Sequence, residues 1–299
     1  MKRFMSALAL AGALATPLRA QSRGGTSDGP LIWAKAAGPT TPISIWAEGG
    51  TLRIIGWEHD SVVFRGRVPG GAPFFGGNAQ NMKLGVFFGN QGTRRDTSDA
   101  ERVLDLVVYV PKHSQLTVRA VSASIMGTNV SGAFHSVSGT IQLRGVATTL
   151  DVESVSGSID VDATASWTRA STGQGRVLVR GAVQDVNAST IDGAIDVAAP
   201  SILRGRFASV NGDIRYAGAP VRGALLEFSN HSGTVDFYMP RSVSGTFELS
   251  SVTGPIENGF SQVRPAADGP HSLRLSLGRG DAQVTVRTFK GTIRLRPQQ

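Results

Sequence analysis

From Ile43 onward, apolar and polar residues alternate in short runs separated by glycine, asparagine, aspartate and proline. Such period-two runs, bounded by turn residues, predict strands. Ile43-Ser44-Ile45-Trp46-Ala47, Thr51 to Trp57 and Ser61 to Arg65 are the first three. Val103 to Val110 is the most apolar run, ended by Pro111-Lys112, and Leu116-Thr117-Val118 begins the next. A phrase then repeats. Ser136-Val137-Ser138-Gly139-Thr140-Ile141-Gln142-Leu143 returns as Ser154-Val155-Ser156-Gly157-Ser158-Ile159-Asp160-Val161.

Aligned on the turn glycine, the copies fall at Gly139, Gly157, Gly175, Gly193, Gly212, Gly233 and Gly254, with Ala123 in an earlier, imperfect copy. Two residues after the glycine stand Ile141, Ile159, Val177, Ile195, Ile214, Val235 and Ile256. Four after stand Leu143, Val161, Val179, Val197, Tyr216, Phe237 and Asn258. Residues two apart on a strand share a face, so both columns are expected to face one core. Val137 is read with them as core stripe, and Gly139 as a corner with positive φ. A weaker second strand is expected in each period, at Leu150 and Val152, Trp167 and Arg169, Val186 and Ala188, Leu226 and Phe228, and Phe247 and Leu249. One copy cannot bury its own apolar face, whereas stacked copies bury each other's. The fold class expected is therefore all-β, a β-solenoid (β-helix-like) of roughly 18–21-residue coils with an N-terminal β-strand region.

The residue between the two inward columns points outward, giving Gln142, Asp160, Leu178, Asp196, Arg215, Asp236 and Glu257. Strands about 4.8 Å apart would set Asp160, Asp196, Arg215 and Asp236 in an outward ladder, with Arg215 between two acids. On this reading Asp236 and Glu257 are neighbours and repel. Residues 66–100 break the repeat with Pro69-Gly70-Gly71, Phe74-Phe75-Gly76-Gly77 and Phe87-Phe88-Gly89. Two readings stand. The stretch is a packed hairpin with Met82 to Phe88 as one strand, or an exposed aromatic loop in which Phe74, Phe75, Phe87 and Phe88 contact a partner.

The N-terminus adds an address. Lys2 and Arg3 precede an apolar run from Phe4 to Leu14, too short to span a bilayer, with small residues toward Ala20. This pattern predicts an export signal over residues 1–20. A polar lead-in follows at 21–42, then an N-terminal β region at 43–120 and the repeat with its C-terminal cap at 121–299. The chain has no cysteine, so it has no disulfide, thiolate metal site or lipidated cysteine. No later apolar run reaches about 18 residues, so no transmembrane segment is expected in the mature chain. The net charge of +8 comes largely from scattered arginines rather than a basic run, which argues against nucleic acid as a partner.

The five histidines lack metal-pair spacing, and neither a Gly-x-Ser-x-Gly elbow nor a phosphate loop occurs. Asp160, Asp162, Asp192 and Asp196 are the nearest approach to a carboxylate cluster, and turn or ladder roles explain them. Arg279-Gly280-Asp281, an integrin-type tripeptide, falls where a turn is expected. No catalytic residue, cofactor or metal site is expected.

Three segments carry a resemblance: Gly50-Thr51-Leu52-Arg53-Ile54-Ile55-Gly56-Trp57, Leu106-Val107-Val108-Tyr109-Val110-Pro111-Lys112 and the Ser-Val-Ser-Gly-x-Ile-x-Val phrase. Together they resemble the bacterial "putative adhesin" family of exported β-strand-repeat proteins, over most of residues 43–296. The resemblance implies a non-enzymatic scaffold in the periplasm, at the outer membrane or outside the cell, with an envelope protein or a surface glycan as partner. It supplies no catalytic residues. Two other readings remain: an envelope sensor or regulatory ectodomain working with a membrane partner, and a carbohydrate-active enzyme on a β-helix.

Overall fold

A computed structural model describes residues 29–68, 72–87, 104–260, 266–269 and 271–298. The expected export signal, Phe88 and the rest of 88–100 lie outside these residues. Every regular element among the described residues is a strand. The N-terminal region holds β1 (Leu31–Ala36), β2 (Ile43–Ala47), β3 (Thr51–Trp57), β4 (Ser61–Arg67), β5 (Ala72–Asn78), β6 (Asn81–Phe87) and β7 (Asp105–Pro111). Next come β8 (Gln115–Ala120), β9 (Ser124–Thr128), β10 (Ser131–Ser136), β11 (Ile141–Val146), β12 (Thr149–Ser154), β13 (Ile159–Gln174) and β14 (Val177–Arg180). The repeat continues through β15 (Val183–Asp192), β16 (Ile195–Ala198), β17 (Arg204–Asn211), β18 (Ile214–Ala217), β19 (Leu225–Ser232) and β20 (Val235–Pro240). The chain closes with β21 (Gly245–Ser251), β22 (Ile256–Asn258), β23 (Ala266–Gly269), β24 (Ser272–Leu277), β25 (Gln283–Thr288) and β26 (Ile293–Gln298). Hydrogen bonding joins them into one mixed sheet of 26 strands. Among the described residues no helix is long and apolar enough to cross a membrane.

Within the repeat, each strand pairs in parallel with its equivalent one period away, which produces two ladders. The first ladder runs β9, β11, the start of β13, β14, β16, β18 and β20. The second runs β8, β10, β12, the end of β13, β15, β17 and β19. Each period thus supplies two strands, and in β13 the two are continuous. The register is the one the glycine alignment predicts: Ile141, Ile159, Val177, Ile195, Ile214 and Val235 stand side by side. All six are buried, and each such side chain contributes about 1.5–3 kcal/mol of burial before entropy is counted.

The ladders meet across one core. Tyr216 on β18 and Phe237 on β20 pack against Phe228 on β19, with ring centroids 5.8 and 4.8 Å away. Phe228 stacks in turn on Phe207, one strand along its own ladder, at 4.8 Å. Burial pushes the Tyr216 phenol up to about 12. A raised acid is held neutral by the fold, so its contribution is complete below the ordinary tyrosine value of about 10. It is lost as pH rises from about 10 through about 12. Denaturant titrations of the wild type and Tyr216→Phe across that window should diverge by up to about 3 kcal/mol, with the phenylalanine variant the less alkali-sensitive. Parallel curves would show that the phenol is not held neutral.

Two details of the repeat differ from the sequence expectation. In the second strand of the second full copy, Thr168 and Ala170 face inward while Trp167 and Arg169 face out. One residue of register inverts every side chain, and the inward pair here is small, so apolarity alone misplaces it. Val137 is likewise outward, 48% exposed. The residue buried in its place is the serine before it, in the row Ser136, Ser154, Thr172, Thr190, Ser209 and Asn230. Ser136 and Ser154 accept hydrogen bonds from the Gly139 and Gly157 amides at 2.9 and 2.8 Å. The Thr172 hydroxyl and the Asn230 amide donate to the carbonyls of Gly157 and Gly212, each at 3.0 Å. These polar groups satisfy backbone groups that the corner takes away from water.

The turn glycines have a different cause from the one predicted. Only Gly175 and Gly233 of the aligned seven have positive φ. At Gly139, Gly157, Gly193 and Gly212, a Cβ would instead overlap the carbonyl oxygen of the corresponding residue one copy earlier: Ala123, Gly139, Gly175 and Gly193 respectively. The corners stack backbone on backbone, leaving no room for a side chain.

At both ends the stacking order departs from chain order. β6 and β7 pair in parallel with β2 and β3, on the side away from β8 and β9. β5 and β4 then cover them in antiparallel pairing, and β1 covers β4. At the other end, β25 lies between β19 and β21, and β26 between β20 and β22, all parallel. Antiparallel β24 covers β21, and β23 covers β24. The final tail is therefore an inserted layer as well as a cap. Asp236 and Glu257 are not neighbours, because Arg294 stands between them and bonds Glu257 at 3.0 Å. Antiparallel covers at both ends close parallel edges that would otherwise template pairing with another chain.

Candidate functional site

Three outward surfaces carry the side chains that interaction could use. The first is the predicted column on the first ladder. The register places Asp160, Leu178, Asp196, Arg215 and Asp236 in line. Their pairing is diagonal. Arg180 donates to both carboxylate oxygens of Asp160 at 3.0 Å, Arg176 to Asp196 at 2.7 Å and Arg296 to Asp236 at 3.1 Å. Arg215 lies over the Tyr238 ring, 4.3 Å from its centroid, in a cation–π contact. Exposed pairs of this kind contribute about 0.2–1 kcal/mol each. The triple variant Asp160→Asn, Asp196→Asn, Asp236→Asn should therefore unfold in one cooperative transition at a modestly lower midpoint. Loss of the cooperative transition in circular dichroism would show that the column carries the fold.

The second surface is the corner ridge. The residue after each buried corner position points to solvent, so Val121, Val137, Val155, Ile191, Val210, Phe289 and Val252 lie along one ridge of the stack, with Gly173 in a gap between Val155 and Ile191. His231 stands in this row and stacks on Phe289, ring centroids 4.9 Å apart. By apolarity alone the first valine of the phrase belongs to the core, yet Val137 is exposed. The usable signal was the serine before it, conserved in polarity at every copy of the phrase yet placed where a strand must point in.

The third surface is the outer face of the second ladder. An open groove there is lined by Trp167, Asp185, Asn187, Arg204, Arg206 and Glu227, among others. Arg204 reaches back to Asp185 at 2.7 Å, while Arg206 reaches forward to Glu227 at 3.1 Å, so two guanidinium groups on one strand diverge. The hydrogen bond and charge of Asp185 raise the Arg204 pKa further. Trp167, 38% exposed, stands at one end of the groove. Toward the N-terminal end of the same face lies a smaller pocket between Trp46 and Phe74.

The aromatic candidates of residues 66–100 separate. β5 and β6 form a hairpin. Phe75 packs inward, stacked on Trp33 at 4.9 Å and edge-on to Phe64 at 5.4 Å. Phe74 points out, 48% exposed. The Phe87 side chain and Phe88 lie outside the described residues. The acids considered as a cluster are dispersed: Arg180 spans Asp160 and Asp162, Asn211 donates to Asp192 at 2.8 Å, and Arg176 holds Asp196. Among the described residues no three His, Cys, Asp or Glu side chains gather to hold a metal. Asp281 of the Arg-Gly-Asp turn accepts a hydrogen bond from Ser244 at 3.2 Å and faces Arg222 at 3.7 Å.

No family model matches the chain, and no curated protein does. Solved structures do. The chain shares its fold with a bacterial protein described as a putative adhesin. That protein, from Parabacteroides merdae, is 12% identical, with a TM-score of 0.50, and the match covers 90% of this chain and 97% of the other. A putative adhesin from Bacteroides fragilis is 10% identical over 89% of this chain and 97% of its own, with a TM-score of 0.48. The Parabacteroides protein carries the same putative-adhesin description as the family that the sequence resembles. At such identity the likeness is one of fold.

Proposed function

We propose that this chain is an exported, non-enzymatic β-solenoid that serves as an adhesin-like interaction scaffold. The observation that carries the reading is the straight register of the second ladder. It sets the outward residues of successive copies in rows, with Trp46, Phe74 and Trp167 part-exposed above one face. A row of this kind suits an extended partner held by many weak contacts. The parallel pairing one period apart supports the coil reading, and the N-terminal region acts as the cap of the same stack. The Lys2-Arg3 start and the apolar run after it support export to the periplasm, the outer membrane or the exterior. The adhesin description of the fold neighbours agrees with a contact role.

The test is cell fractionation of the tagged full-length protein followed by crosslinking and pull-down. Recovery outside the cytoplasm, with one envelope component crosslinked repeatedly, is the expected result. A cytoplasmic protein would overturn the proposal.

A further inference from the structure

The pocket at the N-terminal end of the second ladder has a composition that selects a ligand class. Register explains how it forms. Phe74, Gly85, Trp46 and Arg119 stand in one outward row across β5, β6, β2 and β8, and Gly76, Lys83, Ser44 and Thr117 in the next. Gly85 and Gly76 leave gaps in these rows, and the Phe74 ring leans over Gly76. The result is a depression of about 270 Å³ bounded by Ser44, Trp46, Phe74, Lys83, Thr117 and Arg119. Drug-sized ligands need about 300–1,000 Å³, so the space suits a single sugar ring.

The charge is one-sided. The lining holds two cations and no carboxylate. Along the row, the neighbour of Arg119 is His135, and the carboxylate beyond it, Glu153, is already held by His135 at 3.4 Å and by Arg169 at 2.8 Å. Other arginines on this face, including Arg204, Arg206 and Arg274, have acidic partners. Among the described residues, Lys83 and Arg119 have none. Trp46 is 36% exposed and Phe74 48%. An aromatic face attracts the apolar C–H face of a pyranose, hydroxyls such as Ser44 and Thr117 exchange hydrogen bonds with ring hydroxyls, and a guanidinium matches a carboxylate with two parallel bonds.

The geometry points to a binding site for an acidic sugar, a uronate-type residue of a polysaccharide. Its ring lies against Trp46 and Phe74, and its carboxylate meets Arg119 with Lys83. The inference rests on the scaffold reading for its setting and names the ligand class of one end of the proposed contact face.

The test is calorimetric titration of the full chain with a short oligogalacturonate, a neutral galactose oligosaccharide of the same linkage, and acetate. Binding of the oligogalacturonate alone, weakening as salt rises, is expected. Arg119→Gln and Trp46→Ala should each reduce affinity at least ten-fold, Lys83→Gln less, and Arg241→Gln, at a turn after β20, should leave it unchanged. Thermal melts report whether Trp46→Ala folds, and Arg119→Gln, which removes only a surface charge, decides the matter if it does not. Equal binding of the neutral sugar or of acetate overturns the inference, as does unchanged affinity in Arg119→Gln or no binding by the wild type. A partner still captured from the envelope by a chain that binds no uronate would leave the scaffold reading standing and remove this one.

Discussion

Gly157→Ala should destabilise the protein by about 1–3 kcal/mol, and Gly157→Val by more, although the backbone at Gly157 is one that any residue can adopt. The reason is contact with the previous copy. A Cβ at Gly157 would overlap the Gly139 carbonyl oxygen and approach the Ser154 hydroxyl to 2.8 Å. That hydroxyl caps the Gly157 amide, so moving it costs a buried hydrogen bond as well as a steric shift. The Gly157 carbonyl is itself the surface on which Gly175 rests, so displacement at one corner passes to the next. Gly38→Ala is the comparison. Its Cβ would meet only the Thr41 hydroxyl at 3.3 Å, and its φ is not positive. Urea midpoints at constant m separate the two. Equal small losses at Gly157 and Gly38 would mean that the corner backbones do not stack closely. Because neighbouring corners share contacts, Gly139→Ala with Gly157→Ala should depart from additivity.

Ending the chain at Leu277 should unfold more than the residues removed. β25 and β26 lie between two layers that are consecutive in sequence, β19 with β20 and β21 with β22. Removing them strips Val284, Val286, Ile293 and Leu295 from the core and leaves β21 and β22 without their parallel neighbours, with β24 paired only to β21 and β23. Repeat architectures are stabilised between nearest neighbours, so the loss should stay local. Hydrogen exchange is the measurement. Amides of residues 245–277 should lose protection, while those of β10 to β16 keep it. Retained protection over 245–277 would show that β21 and β22 can dock directly on β19 and β20, and the inserted order would be dispensable. A synthetic peptide covering 282–298 should restore protection if the slot persists in the truncated chain.

Both results follow from contacts between copies, and this divides what the sequence could tell from what it could not. The columns Ile141 to Val235 and Leu143 to Phe237 were legible because strand side chains alternate and the spacing of the glycines is regular. That fixed the all-β class, the period and the in-register parallel pairing. Trp167 and Val137 were misplaced for one physical reason. Burial was inferred from apolarity, whereas at these positions the fold buries a threonine and a serine and exposes tryptophan and valine. The buried polar row exists because stacked corners strand amides and carbonyls, a need that appears only once copies touch.

The candidate surfaces divide the same way. The outward order of Asp160, Asp196, Arg215 and Asp236 follows from the period alone. Their partners do not, because long arginine side chains choose among carboxylates on neighbouring rows. In the aromatic stretch, the sequence marked Phe74 and Phe75 together, and pairing within the β5–β6 hairpin sent one out and the other in. Trp46, Lys83 and Arg119 are far apart in the chain, with 37 positions from the first to the second and 36 from the second to the third. They meet only because β6 crosses to the far side of β2 while β8 takes the near side.

The sequence by itself determined that this chain is a strand repeat with one apolar stripe on each face of its core, because alternation and period are local and survive in one dimension. The tertiary structure alone decided the order of the layers at both ends, the backbone stacking at the glycine corners and the gathering of an aromatic, cationic pocket at one end. These depend on which strands become neighbours, and strand neighbours are set by edge pairing and burial over the whole stack.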